Sequence, residues 1–112
     1  MTDTNTIIRL ELPRLGGSRW SAEELAQSLP ADLRGFEVEL DGSKMATAAQ
    51  GFADELCKQI LEVRQADRLI LRETPEIFTN HVVRSSELRR CQRVSVEGAR
   101  FTRSADLRPD WK

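Results

Sequence analysis

The chain has no tyrosine, one histidine and two cysteines among its 112 residues, and each shortage narrows what it can do. His81 has no second imidazole with which to share a metal. Acid/base work by it would need a nucleophile or carboxylate partner that the sequence does not place, and a lone mid-helix histidine reads as a surface or satisfied structural residue. Cys57 and Cys91 lie 34 positions apart with no further Cys or His at metal-ligand spacing, so no metal site is expected. They read as small apolar side chains, buried or half-buried. No apolar run exceeds a few residues and Asp3 stands near the start, so neither a secretory signal nor a membrane span is expected, and a cytoplasmic location is the simplest expectation. Gly16-Gly17 precedes a helix signal, but the remaining glycines and the lysine of a phosphate-binding loop are missing. The pair reads as a turn, and no cofactor is expected.

Apolar residues make up 39% of the chain and charged residues 31%. This is an ordinary globular composition with a modest core and a charged surface. At this length one domain is the default, and folding can bury about two thirds of the extended chain's surface. The net charge of -1 is unevenly placed, since residues 1–83 hold 9 basic and 14 acidic side chains and residues 84–112 hold 8 and 4. A basic C-terminal quarter opens a nucleic-acid reading through Arg89, Arg90, Arg93, Arg100 and Arg103. Interleaved Glu87, Glu97 and Asp106 dilute the field that phosphate would feel, so this reading is the alternative.

The periodicity alternates between strand and helix. In TIIRLELP, from Thr6 to Pro13, Ile8, Leu10 and Leu12 share one face and Arg9 and Glu11 the other, a half-buried strand ended by proline. WSAEEL carries a helix start in which Ser21 caps, Glu24 closes a capping box and Trp20 staples onto Leu25; the helix is expected to run to about Leu29 and stop at Pro30. FEVEL forms a second strand with Phe36, Val38 and Leu40 inward and an acidic outer face. Asp41, Gly42 and Ser43 make the turn out of it. Thr47 with Gln50 is a second capping-box pattern, opening a helix to about Val63 whose stripe is Phe52, Leu56, Ile60 and Val63. RLILR reads as a central strand covered on both faces. Thr74 as cap and Pro75 at the first helical position start another helix, with Ile77, Val82 and Leu88 inward and a break expected at Ser85-Ser86. Arg93 to Phe101 is the last strand, with Val94 and Val96 buried, and residues 105–112 are an irregular tail. The expected architecture is α/β, a single domain over residues 1–104 with a mixed, mostly parallel sheet of about four to five strands and about three helices.

No catalytic constellation emerges. Asp54 and Glu55 are helix neighbours whose side chains diverge by about 100°, so they cannot form a facing carboxylate pair. Placed near a helix start they complement its dipole, and exposed charge there also suits recognition. Asp41, Ser43 and Thr47 collect at the C-terminal edge of the second strand, where open α/β sheets present their binding surfaces.

On these residues the segment FEVELDGSKMATAAQGFADEL resembles the STAS superfamily, named for sulfate transporters and anti-sigma factor antagonists. There, a strand ending in an Asp-x-Ser turn leads through a loop to a helix whose start carries a regulatory Ser or Thr. GFADEL is similar to the S-F-A-D-E-L helix entrance of the small bacterial STAS-like proteins, and the likeness runs from Trp20 to Val96. The resemblance implies a non-enzymatic switch or adaptor that binds another protein, such as a histidine-kinase-like ATPase, through the helix start and adjoining loop. Phosphorylation at the helix start would end that contact by bringing about two negative charges to a packed surface. Gly51 stands where the motif has its serine, and Ala48, Ala49 and Gln50 cannot accept phosphate. Thr47 is the nearest hydroxyl and the candidate phosphoacceptor. The expected partner surface is Ser43, Thr47, Gln50, Gly51, Asp54 and Lys58.

Overall fold

The structure, a computed structural model, describes residues 6–98. Arg100, Arg103, the end of the expected last strand and the expected tail lie outside the described residues. The chain runs β1 (Thr6–Glu11), β2 (Leu15–Gly16), α1 (Arg19–Ala26), β3 (Phe36–Asp41), β4 (Thr47–Ala48), α2 (Gln50–Cys57) with a π-helical continuation (Lys58–Val63), β5 (Arg68–Arg72), α3 (Glu76–Arg89) and β6 (Val94–Glu97). Four strands form one all-parallel sheet in the order β1-β3-β5-β6, and β2 and β4 form a separate parallel pair. The α/β expectation therefore holds, with the small pair outside the main sheet.

That strand order advances in one direction only. Each parallel step needs a crossover, and right-handed crossovers stepping the same way carry their helices over the same face. Accordingly α1 packs on α2 and α2 on α3 in a single layer. The core lies between that layer and the sheet: Leu12, Val38, Leu40, Leu69 and Leu71 meet Ala22, Phe52, Leu56, Ile60, Phe78 and Val82, all buried. The rings of Phe52 and Phe78 meet at its centre, 6.2 Å apart and tilted by 53°.

Among the described residues no helix packs on the other face of the sheet, so the cover expected on both sides of β5 is supplied there by side chains. Ile70 points to this open face and is still only 5% exposed. It sits between Arg68 and Arg72 on its own strand and beside Glu39 and Ser95 on its neighbours, and the aliphatic stems of the two arginines and of Glu39 cover it. Charge makes the open face stable in water. Glu39 lies 3.1 Å from Arg9 and 4.0 Å from Arg72, Arg72 lies 3.5 Å from Glu97, and Arg68 reaches Glu37 at 3.7 Å and the Ser95 hydroxyl at 2.9 Å. Parallel sheets usually bury both faces. Here alternating acidic and basic strands replace the second layer.

Several local expectations shift. Ser18, not Ser21, caps α1: its hydroxyl accepts from Ser21 N–H at 3.1 Å, and Ser21 answers from the third helical position. Trp20 therefore sits inside the first turn, beyond reach of a staple, and is 68% exposed. The π-helical turns after Cys57 rotate the apolar stripe so that Ile60 and Leu61 face inward and Val63 turns out to 54% exposure. Pro75, not Thr74, is the residue before α3; the buried Thr74 hydroxyl instead meets that of Thr79 at 2.6 Å. Ser85 and Ser86 do not break α3, because Ser86 returns its hydroxyl to the Val83 carbonyl at 2.7 Å and Ser85 bonds across to α2. Phe78, Thr79, Val82, Ser85 and Ser86 are its buried face, and Ile77 and Leu88 are exposed. In β6, Val94 is half-buried and Val96 is 45% exposed, because no further strand or helix covers this edge among the described residues.

Gly42 is a point of close approach: a Cβ there would stand 2.7 Å from the Thr74 Cα, which is backbone and cannot step aside. Gly42→Ala is expected to lose about 1–3 kcal/mol of stability by this overpacking. Gly17→Ala, where an added Cβ meets nothing within 4 Å, is expected to be near neutral. Urea unfolding of both variants checks the pair through their midpoints.

Candidate functional site

The expected site is built where β3 ends and α2 begins. Asp41 accepts from the Ser43 N–H at 3.0 Å, closing the turn that Asp and Ser make at this spacing. That backbone bond, with further help from Ser43, lowers the Asp41 pKa. The chain then pairs with β2, Leu15 opposite Thr47 and Gly16 opposite Ala48. Thr47 is thus a strand residue. Its hydroxyl caps nothing, since the residue before α2 is Ala49, with no side-chain bond to the helix start. This corrects the capping box expected at Thr47 and Gln50. The cause is local competition: the bonds Ala46 N–H to Arg14 carbonyl and Ala49 N–H to Gly16 carbonyl, both 2.7 Å, extend the segment that a cap would have bent. Thr47 and Gln50 are left exposed beside exposed Ser43 and Ala46.

Gly51 and Asp54 face a different way. The Arg19 side chain of α1 lies over Gly51, where an added Cβ would come within 3.2 Å of the Arg19 Cγ. The glycine accommodates this neighbouring helix, so it is not an open part of the expected partner surface. Arg19 then reaches Asp54 at 2.7 Å. From α3, Arg89 grips the same carboxylate with two nitrogens, Nε at 3.0 Å and Nη2 at 2.7 Å, and the Ser85 hydroxyl donates to it as well. Arg89 continues to Glu62 at 2.8 Å. The paired guanidinium of Arg89, followed by Ser85 and Arg19, outweighs burial and holds the Asp54 carboxyl well below the usual carboxylate range. Asp54 lies beyond the first turn of α2, so it serves the helix seams and not the dipole. Lys58 is half-exposed, 3.8 Å from Glu55, which is itself buried beside Arg19. Of the six expected surface residues, the fold leaves Ser43, Thr47 and Gln50 open to solvent and draws Gly51 and Asp54 into the α1 to α2 seam with Lys58 at its margin.

Sequence reasoning missed the exposure of two large apolar side chains, Leu15 and Trp20. Leu15 projects beside Thr47 and is 62% exposed; Trp20, 68% exposed, follows the arginine that covers Gly51. The available signal was their position on either side of the Gly16-Gly17 turn, which leaves neither an apolar partner at helical or strand spacing.

Of the described arginines of the basic segment, Arg89 and Arg93 bond within the chain. Arg89 serves Asp54 and Glu62, and Arg93 donates to the carbonyls of Leu61 and Ala66 at 3.0 and 3.1 Å. Arg90 is exposed, in the left-handed conformation that ends α3 at φ 58°. A hollow of about 620 Å³ is lined by Leu61, Glu62, Ala66, Cys91 and Arg93, at the N-terminal edge of the sheet and away from the α2 start. A one-directional strand order also has no switch point, the feature that opens a crevice at the other edge of doubly wound sheets. Burial pushes the Cys57 thiol up to about 11, and Asp41 and Asp54 are held as anions. These shifts fix the resting charge states of the three groups. Among the described residues no cluster of three or more His, Cys, Asp or Glu side chains is placed to hold a metal, and no helix is long and apolar enough to cross a membrane.

Compared with protein-family models, curated proteins and solved structures, the chain matches none.

The Asp54 clamp sets an acid limb. Because its native pKa is depressed, its contribution is fully present above the unfolded carboxylate's pKa of about 3.9 and drains away as pH falls below it. Asp54→Ala is expected to cost about 2–3 kcal/mol at neutral pH, the scale of lost charge-assisted hydrogen bonds. Measured by urea unfolding between pH 7 and pH 3, the gap between wild type and variant is expected to shrink as pH falls.

Proposed function

We propose that the chain is a non-enzymatic protein-interaction module of STAS-like type that presents the β4 to α2 junction to a regulatory partner. The observation that carries this reading is the exposure of two large apolar side chains, Leu15 at 62% beside Thr47 and Trp20 at 68% in the first turn of α1, on segments whose other exposed groups include the small Ala46 and Ala49 and the cations Arg14 and Lys44. Tryptophan is among the commonest anchors of protein interfaces, and polar or charged groups commonly form the rim around such an anchor. Support also comes from the order of parts: a buried strand, the Asp41 to Ser43 turn, and a helix opening on Gly51-Phe52. A histidine-kinase-like ATPase is the partner class that the resemblance implies.

Regulation at this surface falls to Thr47. Its hydroxyl is exposed, bonds to no described residue and lies two residues before Ala49, the uncapped entrance of α2. A phosphate there would sit near the positive end of the helix and add about two negative charges to the contact surface. Gly51 needs no hydroxyl in this scheme, because it serves the α1 to α2 seam.

Affinity capture from the native host, with Thr47→Arg and Trp20→Ala as parallel baits, tests the reading. Both variants are expected to keep the wild-type circular dichroism and thermal midpoint within about 2–4 °C, since surface changes rarely exceed about 0.5 kcal/mol. A specific partner is expected to fall at least about tenfold with each, the loss of about 1.4 kcal/mol. Equal recovery of that partner by all three baits would remove this surface from consideration.

A further inference from the structure

β1 is an edge strand with a free outer side. Leu12 N–H donates to the Asp41 carbonyl at 2.9 Å, and the register pairs Glu11 with Asp41, so the even-numbered residues of β1 turn their backbone groups toward β3. Along a strand these groups alternate sides. Ile7, Arg9 and Glu11 therefore aim their N–H and C=O groups outward, where no described residue pairs with them.

The side chains of this edge form a pattern that is complementary to itself. Reading outward from Leu10, the chain has Arg9 against Glu11, Ile8 against Leu12 and Ile7 against Pro13. On the open face, exposed Arg9 and Glu11 carry opposite charges two positions apart, with Ile7, 48% exposed, next in line. On the helix face Ile8 and Leu10 are only half-buried, because α1 covers β1 incompletely.

We propose that a second copy of this chain docks on this edge, β1 antiparallel to β1 about a two-fold axis at Leu10, joining the two four-stranded sheets into one. In that register Arg9 lies opposite the partner's Glu11, and Glu11 opposite the partner's Arg9, as hydrogen-bonded pairs. Leu10, half-buried in one chain, meets its own copy on the helix face. Moving the axis by one residue sets Arg9 against Arg9 or Glu11 against Glu11, so charge selects this register over its neighbours. Pro13 has no N–H to donate and ends the ladder, while its carbonyl can still accept from the partner's Ile7. A two-fold contact of this kind closes on itself and leaves β6 outside it.

Sedimentation velocity of the full chain from micromolar to several hundred micromolar tests the proposal. The expected result is a concentration-dependent shift from one chain mass to two. Arg9→Glu and Glu11→Arg, each folded by circular dichroism, are expected to weaken the dimer at least about tenfold, because each replaces two attractive pairs with two repulsive ones. The double swap Arg9→Glu with Glu11→Arg is expected to restore it. Leu10→Cys, oxidised, is expected to yield a covalent dimer through the facing pair, a readout that does not depend on the charge variants folding. A wild-type chain that stays monomeric, assembly beyond two chains, or a dimer indifferent to both single swaps would overturn the proposal.

Discussion

The carboxylate of Asp54 ties the helix layer together. It stands on the middle helix and receives Arg19 from one neighbour and Arg89 and Ser85 from the other, so one anion satisfies donors from both seams. A partly buried ion is costly unless its lone pairs are filled, and here four donors fill them. The consequences reach outward. Arg19 can lie flat over α2 only because residue 51 has no side chain, and Ser85 stays helical because its hydroxyl has a partner outside its own helix.

Running all three crossovers the same way has a second effect. It places every helix on one face and leaves a parallel sheet facing water, an arrangement that needs a polar face on strands usually apolar on both sides. The sequence meets the need by strand: β3 offers Glu37, Glu39 and Asp41, and β5 offers Arg68 and Arg72 to meet them. It also leaves β1 at an edge of the sheet, where no described residue pairs with its outward backbone groups. The same one-way winding removes the switch point that gives many α/β proteins their ligand crevice.

Much of the fold is legible in the sequence, and its failures are local. Alternation in TIIRLELP and FEVEL marks β1 and β3 and their inward residues correctly, because period two has no competing explanation there. Cap chemistry misleads at Ser21, Thr47 and Thr74. In each case a hydroxyl with the right neighbours found another bond: Ser21 belongs to the box opened by Ser18, Thr47 lies in a two-residue ladder, and Thr74 turns to Thr79. The phase of α3 is misread because its inward side is chosen by Ser85 and Arg89 reaching Asp54, while Ile77 and Leu88 have the better hydropathy. The candidate site divides for the same reason. Ser43, Thr47 and Gln50 need only lie on a connection to be exposed, whereas the fate of Gly51 and Asp54 depends on a helix more than thirty residues away in the chain.

By itself the sequence determined the alternation of strands and helices, the inward residues of the first two long strands, and the charge carried by each strand. These are properties of spacing along the chain, and local geometry reads them directly. The tertiary structure alone decided that the helices share one face, that RLILR meets water on its other side, that Asp54 is a clamp and that Trp20 stands free. Those outcomes turn on which distant residues meet, and the hand and order of the crossovers set that.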